Sequence, residues 1–544
     1  MRSAWVLVAI CLLAASCGPK KPSAAEIEAA RRLREAAELR ALAETKTLQG
    51  CYDCLIEARG AFEKLAAGAD RPALVVKLFE LDLLIALREK ELAIDATATI
   101  ARARALGAEL PATVAGERYL KAVEAMPPDN TGVPVAADLS FRRSKIPYVG
   151  GIDNEIVWLL GTEADTTAVQ RPVRQYLALS LDCSYFRRGR PAAQAPQAGL
   201  AALPQAARQV VMEQIPKDAP ALLQYRVGIC DRPKKAQLEA VRKEESRFAE
   251  AAYFLARLDM GNASETGAPA ARLLLDEAYG RFPKSPAVTY LAGNYNQLIG
   301  DCKAGLKYYD ETIAIEPAHD NALLGRTVCL AFLKQFDDSI AAATRMIAIP
   351  SSNLADAYYW RAWVRHHTRD YPQARADIDM AKKIVSNNAI HRLAGIIEHD
   401  QDDLLPADKD LVTATAMTDG QYDCVSRWYL GLNDMKRERW TNSAAHFEDS
   451  MNCYERAALF AEQALAKMEA LKDVDPDFKA RQIEGFQAAI KEDRAQQYAS
   501  AFNAANHYAR GGDPAKARPL LEIAAKDPAL DSRVSELRKL LGIR

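Results

Sequence analysis

The sequence predicts an all-α chain, built as a solenoid of stacked helical hairpins with an irregular, proline-rich helical insert. Two observations predict it. Small residues recur at Ala271, Gly305, Ser339, Ala374, Ala407, Ser443 and Ala517, at separations of 34, 34, 35, 33, 36 and 74 residues. A period near 34 suits two helices and two short turns, a unit that cannot bury its apolar face alone and so stacks on its neighbours. Secondly, 49% of the 544 residues are apolar but only 7% aromatic. That composition suits helices packed closely on small side chains.

Taken in order, the chain opens with Arg2 and an apolar run from Trp5 to Leu13, then Ala14-Ala15-Ser16 before Cys17. This reads as an export signal over residues 1–16, too short to span a bilayer. Leu13-Ala14-Ala15-Ser16-Cys17 resembles a bacterial lipobox, with Ala14 where the usual Leu stands three places before the Cys. The resemblance implies lipid attachment at Cys17, and ordinary cleavage stays open. Gly18 in place of a retention Asp favours the outer membrane, facing the periplasm. Residues 17–106 then form a helical region with degenerate hairpins. Ser23 and Glu26 make a capping box opening a helix to about Ala43, and Cys51 and Cys54 lie in a turn-to-helix segment. Residues 107–240 hold 12 of the 26 prolines, so long uninterrupted helices are not expected there. Asn154 to Leu181 still reads as helical. This stretch is an irregular insert or a hinge between two arms.

Residues 241–454 carry the regular array. Seven residues after each small residue stands Ala278, Thr312, Met346, Ala381, Ala414, Ser450 or Ala524. Twelve before most of them stands Gly293, Thr327, Ala362, Gly395, Gly431 or Ala505. Tyr309, Ile378, Leu411, Phe447 and Leu521 are the large residues between. Residues 455–544 form a C-terminal helical region with the last unit, in which 455–495 is helical but out of phase, as in a lengthened unit.

Gly293, Gly300-Asp301, Tyr309 and Pro317, with Asp370-Tyr371 in a later unit, are similar to the tetratricopeptide repeat family over about residues 245–530. The resemblance implies a right-handed superhelix whose first helices line a concave groove. The residues three before, one after and four after the first-helix small residue would line it. Those are Tyr290, Asn294 and Gln297; Leu324, Val328 and Ala331; Tyr359, Trp363 and His366; Arg392, Ile396 and His399; and Trp428, Leu432 and Met435. Trp, Tyr and Arg on one face have hot-spot composition. The competing reading is that the rings fill space between units.

Ten cysteines less Cys11 and Cys17 leave eight, in sequential couples: Cys51/Cys54, Cys183/Cys230, Cys302/Cys329 and Cys424/Cys453. An exported chain would pair them as disulfides; free core thiols are the alternative. In the hairpin pattern Cys424 and Cys453 sit where antiparallel helix ends meet, and Cys302 and Cys329 are also brought near. Cys183 and Cys230 would brace the insert. Cys51-Tyr52-Asp53-Cys54 has metal or redox spacing, but neither a second CxxC nor a nearby His completes a metal site.

The charge balance of 71 basic against 72 acidic residues offers no footprint for nucleic acid. Arg142-Arg143, Arg171/Arg174 and Arg187-Arg188/Arg190 give the insert local basic character. No GxSxG, HExxH or Walker loop occurs, and no cofactor is implied. The sequence therefore points to a non-enzymatic envelope scaffold holding a protein or peptide. Two alternatives stay open: a glycan- or nutrient-binding lipoprotein, and an envelope enzyme with its site in 107–240.

Overall fold

A computed structural model describes residues 23–67, 71–124, 126, 152–161, 169–182, 205, 209–210, 214–229, 234–262, 268–417, 423–472 and 474–542. Among them every regular element is helical and no strand occurs. Two compact units result. The first takes the described residues of Met1–Glu91, Asp95–Pro128 and Ser140–Ala251, the second Leu92–Ile94 and the described residues of Ala252–Arg544.

The first unit contains α1 (Ala24–Gln49), α2 (Tyr52–Ala66), α3 (Arg71–Glu91), α4 (Thr97–Gly107), α5 (Gly116–Glu124), α6 (Ile152–Leu160), α7 (Arg171–Asp182), α8 (Ala221–Ile229) and α9 (Lys235–Glu244). The Ser23 and Glu26 capping box forms, each side chain bonding the other's backbone N–H. The helix runs on past Ala43 to Gln49, with the Thr45 and Thr47 hydroxyls donating to the carbonyls of Ala41 and Ala43. It stops at Gly50, whose φ of 73° is left-handed backbone. Helices α1 to α4 pack each on the next, as hairpins do. α3 is the unit's core helix, buried on most sides, with Phe79, Leu81, Leu83, Leu84 and Ile85 buried alongside the charged Glu80, Asp82 and Arg88. In the proline-rich stretch the expected helix from Asn154 to Leu181 is two, α6 and α7, with 162–168 outside the described residues. The described helices there run only 9 to 12 residues, in keeping with the prolines.

α10 (Ala249–Asp259) carries the passage from the first unit to the second, and α11 (Pro269–Arg281) follows. Then come six hairpins: α12/α13 (Pro286–Leu298, Cys302–Ile315), α14/α15 (Asp320–Phe332, Phe336–Ile347), α16/α17 (Leu354–His367, Tyr371–Ile384), α18/α19 (Asn388–Asp400, Leu404–Ala416), α20/α21 (Cys424–Lys436, Trp440–Ala470) and α22/α23 (Pro476–Arg510, Pro514–Ala524). α24 (Asp531–Leu540) closes the chain.

Each hairpin turns the same way. Gly300, Lys334, Arg369, Asp402, Glu438 and Gly512 all have positive φ, between 58° and 84°. The next residue's N–H returns to the last turn of the first helix, as from Asp301 to the Asn296 carbonyl at 2.8 Å and from Asp370 to Arg365 at 2.8 Å. This is a Schellman closure repeated at the sequence period. Asp301, Asp370 and Asp513 then cap the second helices.

The recurring small residues are buried at the helix crossings, and Tyr309, Ile378, Leu411, Phe447 and Leu521 lie buried between them. Tyr309 shows the logic. A Cβ on Gly293 would stand 2.8 Å from its ring, and one on Gly325 of the next hairpin would overlap its ring carbon Cζ and stand 2.6 Å from its Oη. One tyrosine thus fills the space that two glycines leave, locking consecutive hairpins. Helices α21 and α22 are 31 and 35 residues long and pack along each other. The out-of-phase stretch 455–495 is therefore the lengthened unit its pattern suggested. Position 454/455 falls inside α21.

Candidate functional site

Residues three before, one after and four after the small residue of a first helix fall at i, i+4 and i+7, one face of that helix. Stacking then brings neighbouring faces together. Tyr359 of α16 is hydrogen-bonded to Arg392 of α18, which in turn lies 3.8 Å from the Asp423 carboxylate at the start of α20. Burial raises the Tyr359 hydroxyl's pKa, and the Arg392 cation opposes this. His366 of α16 contacts the Asp400 carboxylate of α18 at 2.7 Å. Tyr359, Arg392 and Asp423 thus form a polar row from α16 through α18 to the start of α20, with the His366–Asp400 pair a second link between α16 and α18.

Beside this row sits a cluster of rings. Trp363 stacks on His367 with centroids 3.7 Å apart. Trp360 lies 5.8 Å from Trp363, 5.5 Å from Tyr359 and 5.7 Å from Phe332 of α14. Phe332 is 62% exposed, an uncommon state for a phenylalanine in a ring cluster. Rigid, half-buried aromatic rings with one open edge suit an anchor residue of a partner chain.

The other residues on the face are spent differently. Tyr290 is only 6% exposed and stacks on His319 at 5.1 Å. Gln297 accepts the Tyr309 hydroxyl at 2.6 Å, and Asn294 is half-buried. His399 is buried, hydrogen-bonded to Asn433, and set edge-on to Tyr429. Burial lowers its pKa. Trp428 meets Phe447 edge-on at 5.0 Å. The structure thus brings Tyr359, Trp363, His366 and Arg392 into one half-open patch, and uses Tyr290, Gln297, His399 and Trp428 largely to join hairpins. The sequence reading passed over Trp360, His367 and Phe332, which the fixed spacing does not select. Their signal was density: Tyr358-Tyr359-Trp360, Trp363 and His366-His367 crowd one helix.

Disulfides join Cys51–Cys54, Cys302–Cys329 and Cys424–Cys453, with Cα separations of 4.8, 5.0 and 5.3 Å. Cys11, Cys17, Cys183 and Cys230 lie outside the described residues, as do the basic groups at 142–143 and 187–190. The Cys51 and Cys54 sulfurs and the Glu245 carboxylate lie within 4.8 Å of one another. Bonded sulfurs offer a metal no thiolate. Arg174 donates to the Leu159 and Val169 carbonyls at 3.0 and 3.2 Å, tying α7 to the end of α6.

A second concentration of ionisable groups is buried in the first unit. Arg88 is fully enclosed. It donates to the Gly50 carbonyl at 2.9 Å and the Tyr176 hydroxyl at 2.5 Å, pairs with Glu91 at 2.8 Å, and lies over the Tyr225 ring at 3.6 Å. Glu250 lies 3.4 Å from Arg88 and accepts the Tyr52 N–H, and burial pushes its pKa up to about 7. Arg88 thereby ties α1, α7 and α8 to α3, a structural use of a buried cation.

No protein-family model matches the sequence, and no curated protein matches it significantly. Solved structures do resemble it. YrrB, described as a TPR protein with an unusual peptide-binding site, is 12% identical, with a TM-score of 0.29 over 33% of this chain and 91% of that one. A tetratricopeptide repeat protein from Parabacteroides merdae is 12% identical, with a TM-score of 0.33 over 46% and 91%. The Cut9–Hcn1 complex of the APC/C is 13% identical, with a TM-score of 0.35 over 93% and 96%. At such scores the class rests on the hairpins themselves. Their period, Schellman turns and small-to-large interlock make the array a tetratricopeptide-type α-solenoid.

Proposed function

We propose that this chain is a non-enzymatic scaffold that holds a segment of a protein partner against the first helices of its array. The half-open patch of Phe332, Trp360, Trp363 and His367, with the Tyr359–Arg392 row beside it, carries this reading. A partner's side chain would seat among the rings, and its backbone or acidic groups would meet Arg392 and His366. The proposed site is the bacterial envelope: export by residues 1–16, lipid on Cys17, and the outer membrane facing the periplasm. The three disulfides support an oxidising compartment. Among the described residues no helix is long and apolar enough to cross a membrane. Neither a cofactor nor nucleic acid enters the proposal.

A photo-crosslinking amino acid at position 332 tests it, with position 405 as control. Leu405 is 75% exposed but lies on α19, a second helix. Cross-links to a discrete protein from 332 and not from 405 are expected. Equal labelling from both positions would refute docking on this face.

A further inference from the structure

The charge of the ring patch says what kind of side chain it fits. On a first helix, the residues six before, three before, one after and four after the small residue share one face. Over α12, α14, α16, α18 and α20 those positions hold, apart from histidines, two ionisable groups charged at neutral pH: Asp356 and Arg392. Arg392 is already answered, by the Tyr359 hydroxyl and by the Asp423 carboxylate at 3.8 Å. The other cations of α16, Arg361 and Arg365, both pair with Asp377 of α17.

Asp356 is not answered. It is exposed, and among the described residues no hydrogen bond or ion pair reaches it. Loss of surrounding water raises its pKa, as for a carboxylate on a concave surface, and no cation offsets the rise. Its position in the first turn of α16, where the helix dipole favours a negative charge, lets it stand alone.

The rings begin one turn further on. Asp356, Trp360, Trp363 and His367 are spaced i, i+4, i+7 and i+11, a narrow stripe along one side of α16. Trp360 meets Trp363, Phe332 and Tyr359 at 60°, 66° and 82°, so the rings stand at angles to one another and not as a flat stack. Aromatic faces carry partial negative charge and attract cations. Carboxylate and rings therefore ask for the same sign of charge. Any partner that covers this stripe strips the remaining water from Asp356. A neutral anchor leaves that loss uncompensated and an acidic one adds repulsion, whereas a cation repays it.

We propose that the segment held by the array is anchored by a basic side chain, Arg or Lys, whose cationic head sits between Asp356 and the Trp360 ring. This rests on the groove reading and adds to it the charge of the anchor.

Selection of phage-displayed random peptides on the full chain tests it, comparing the native protein with Trp363→Ala and Asp356→Lys. Asp356 has no partner to lose, so its variants should keep the native circular dichroism spectrum. The native chain is expected to select peptides with Arg or Lys at one fixed position, and both variants to lose them. The strongest peptide is then measured by fluorescence anisotropy. Replacing its Arg by citrulline, or its Lys by norleucine, should weaken binding by about tenfold on the native chain and by less than about twofold on Asp356→Asn. Equal losses on both chains overturn the proposal. So do selected peptides that lack a basic residue yet are lost with Trp363→Ala, a result that leaves the groove reading standing. Peptides that Trp363→Ala retains, or no selection by any chain, mean that the groove reading itself has failed, and the basic anchor falls with it.

Discussion

Gly325→Ala probes the interlock on which the solenoid depends. The added Cβ would overlap the Tyr309 ring carbon Cζ and lie 2.6 Å from its Oη. Tyr309 cannot retreat easily. Its other side rests against Gly293, its hydroxyl is held by Gln297 at 2.6 Å, and it is 1% exposed. The helix backbone at 325 cannot retreat either, being packed between hairpins. Overpacking of this kind costs about 1 to 3 kcal/mol, and the rigid neighbours put it near the upper end. Urea unfolding followed by circular dichroism measures it as a fall in midpoint at constant slope. A double-mutant cycle identifies the cause. Tyr309→Leu alone removes ring volume and the Gln297 bond, at a cost of about 2 to 3 kcal/mol. In the double variant the methyl finds room, so the combined loss should fall short of the sum by about 1 to 2 kcal/mol. A Gly325→Ala loss below about 0.5 kcal/mol, or strict additivity, would refute the interlock.

Other outcomes follow from single features. Lys334→Gly and Arg369→Gly relieve left-handed backbone at non-glycine residues and should each stabilise by about 1 kcal/mol, whereas Gly300→Ala should cost a similar amount; thermal melts decide. Burial, with Arg510 nearby, holds the His507 pKa down to about 4 from 6.5. The unfolded chain therefore takes up that proton first. This contribution is intact above pH 6.5 and is lost as the pH falls toward 4, amounting to about 3 kcal/mol, and His507→Gln should flatten that part of the stability profile. Reducing Cys302–Cys329 or Cys424–Cys453, which close loops with separations of 27 and 29 residues, should cost about 3 to 4 kcal/mol each, read as a fall in Tm under dithiothreitol.

The array was legible because its packing rule is periodic. Ala271, Gly305 and their successors sit at helix crossings, where only small side chains fit, and the spacing alone locates them. The turns were half legible: Gly300 announces left-handed backbone, but Lys334, Arg369, Asp402 and Glu438 adopt it without any residue-type signal. The disulfide couples in the array were readable because hairpin geometry places Cys424 beside Cys453. The candidate site was less so. Fixed spacing selected Tyr359, Trp363 and Arg392 but also Tyr290, whose ring the neighbouring His319 covers. It passed over Phe332, because exposure at a helix end depends on how the next hairpin is offset. The Arg88 network was invisible, since it joins residues far apart in sequence through tertiary contact alone.

The central claim is that the ring patch and its polar row hold a partner. Affinity purification after in-cell cross-linking, comparing the native chain with Tyr359→Ala/Trp363→Ala/Arg392→Ala, tests it most directly, provided that the variant's helical content and Tm stay close to native. The account predicts one or a few proteins enriched with the native chain and lost with the variant. An identical set of partners from both chains would contradict it.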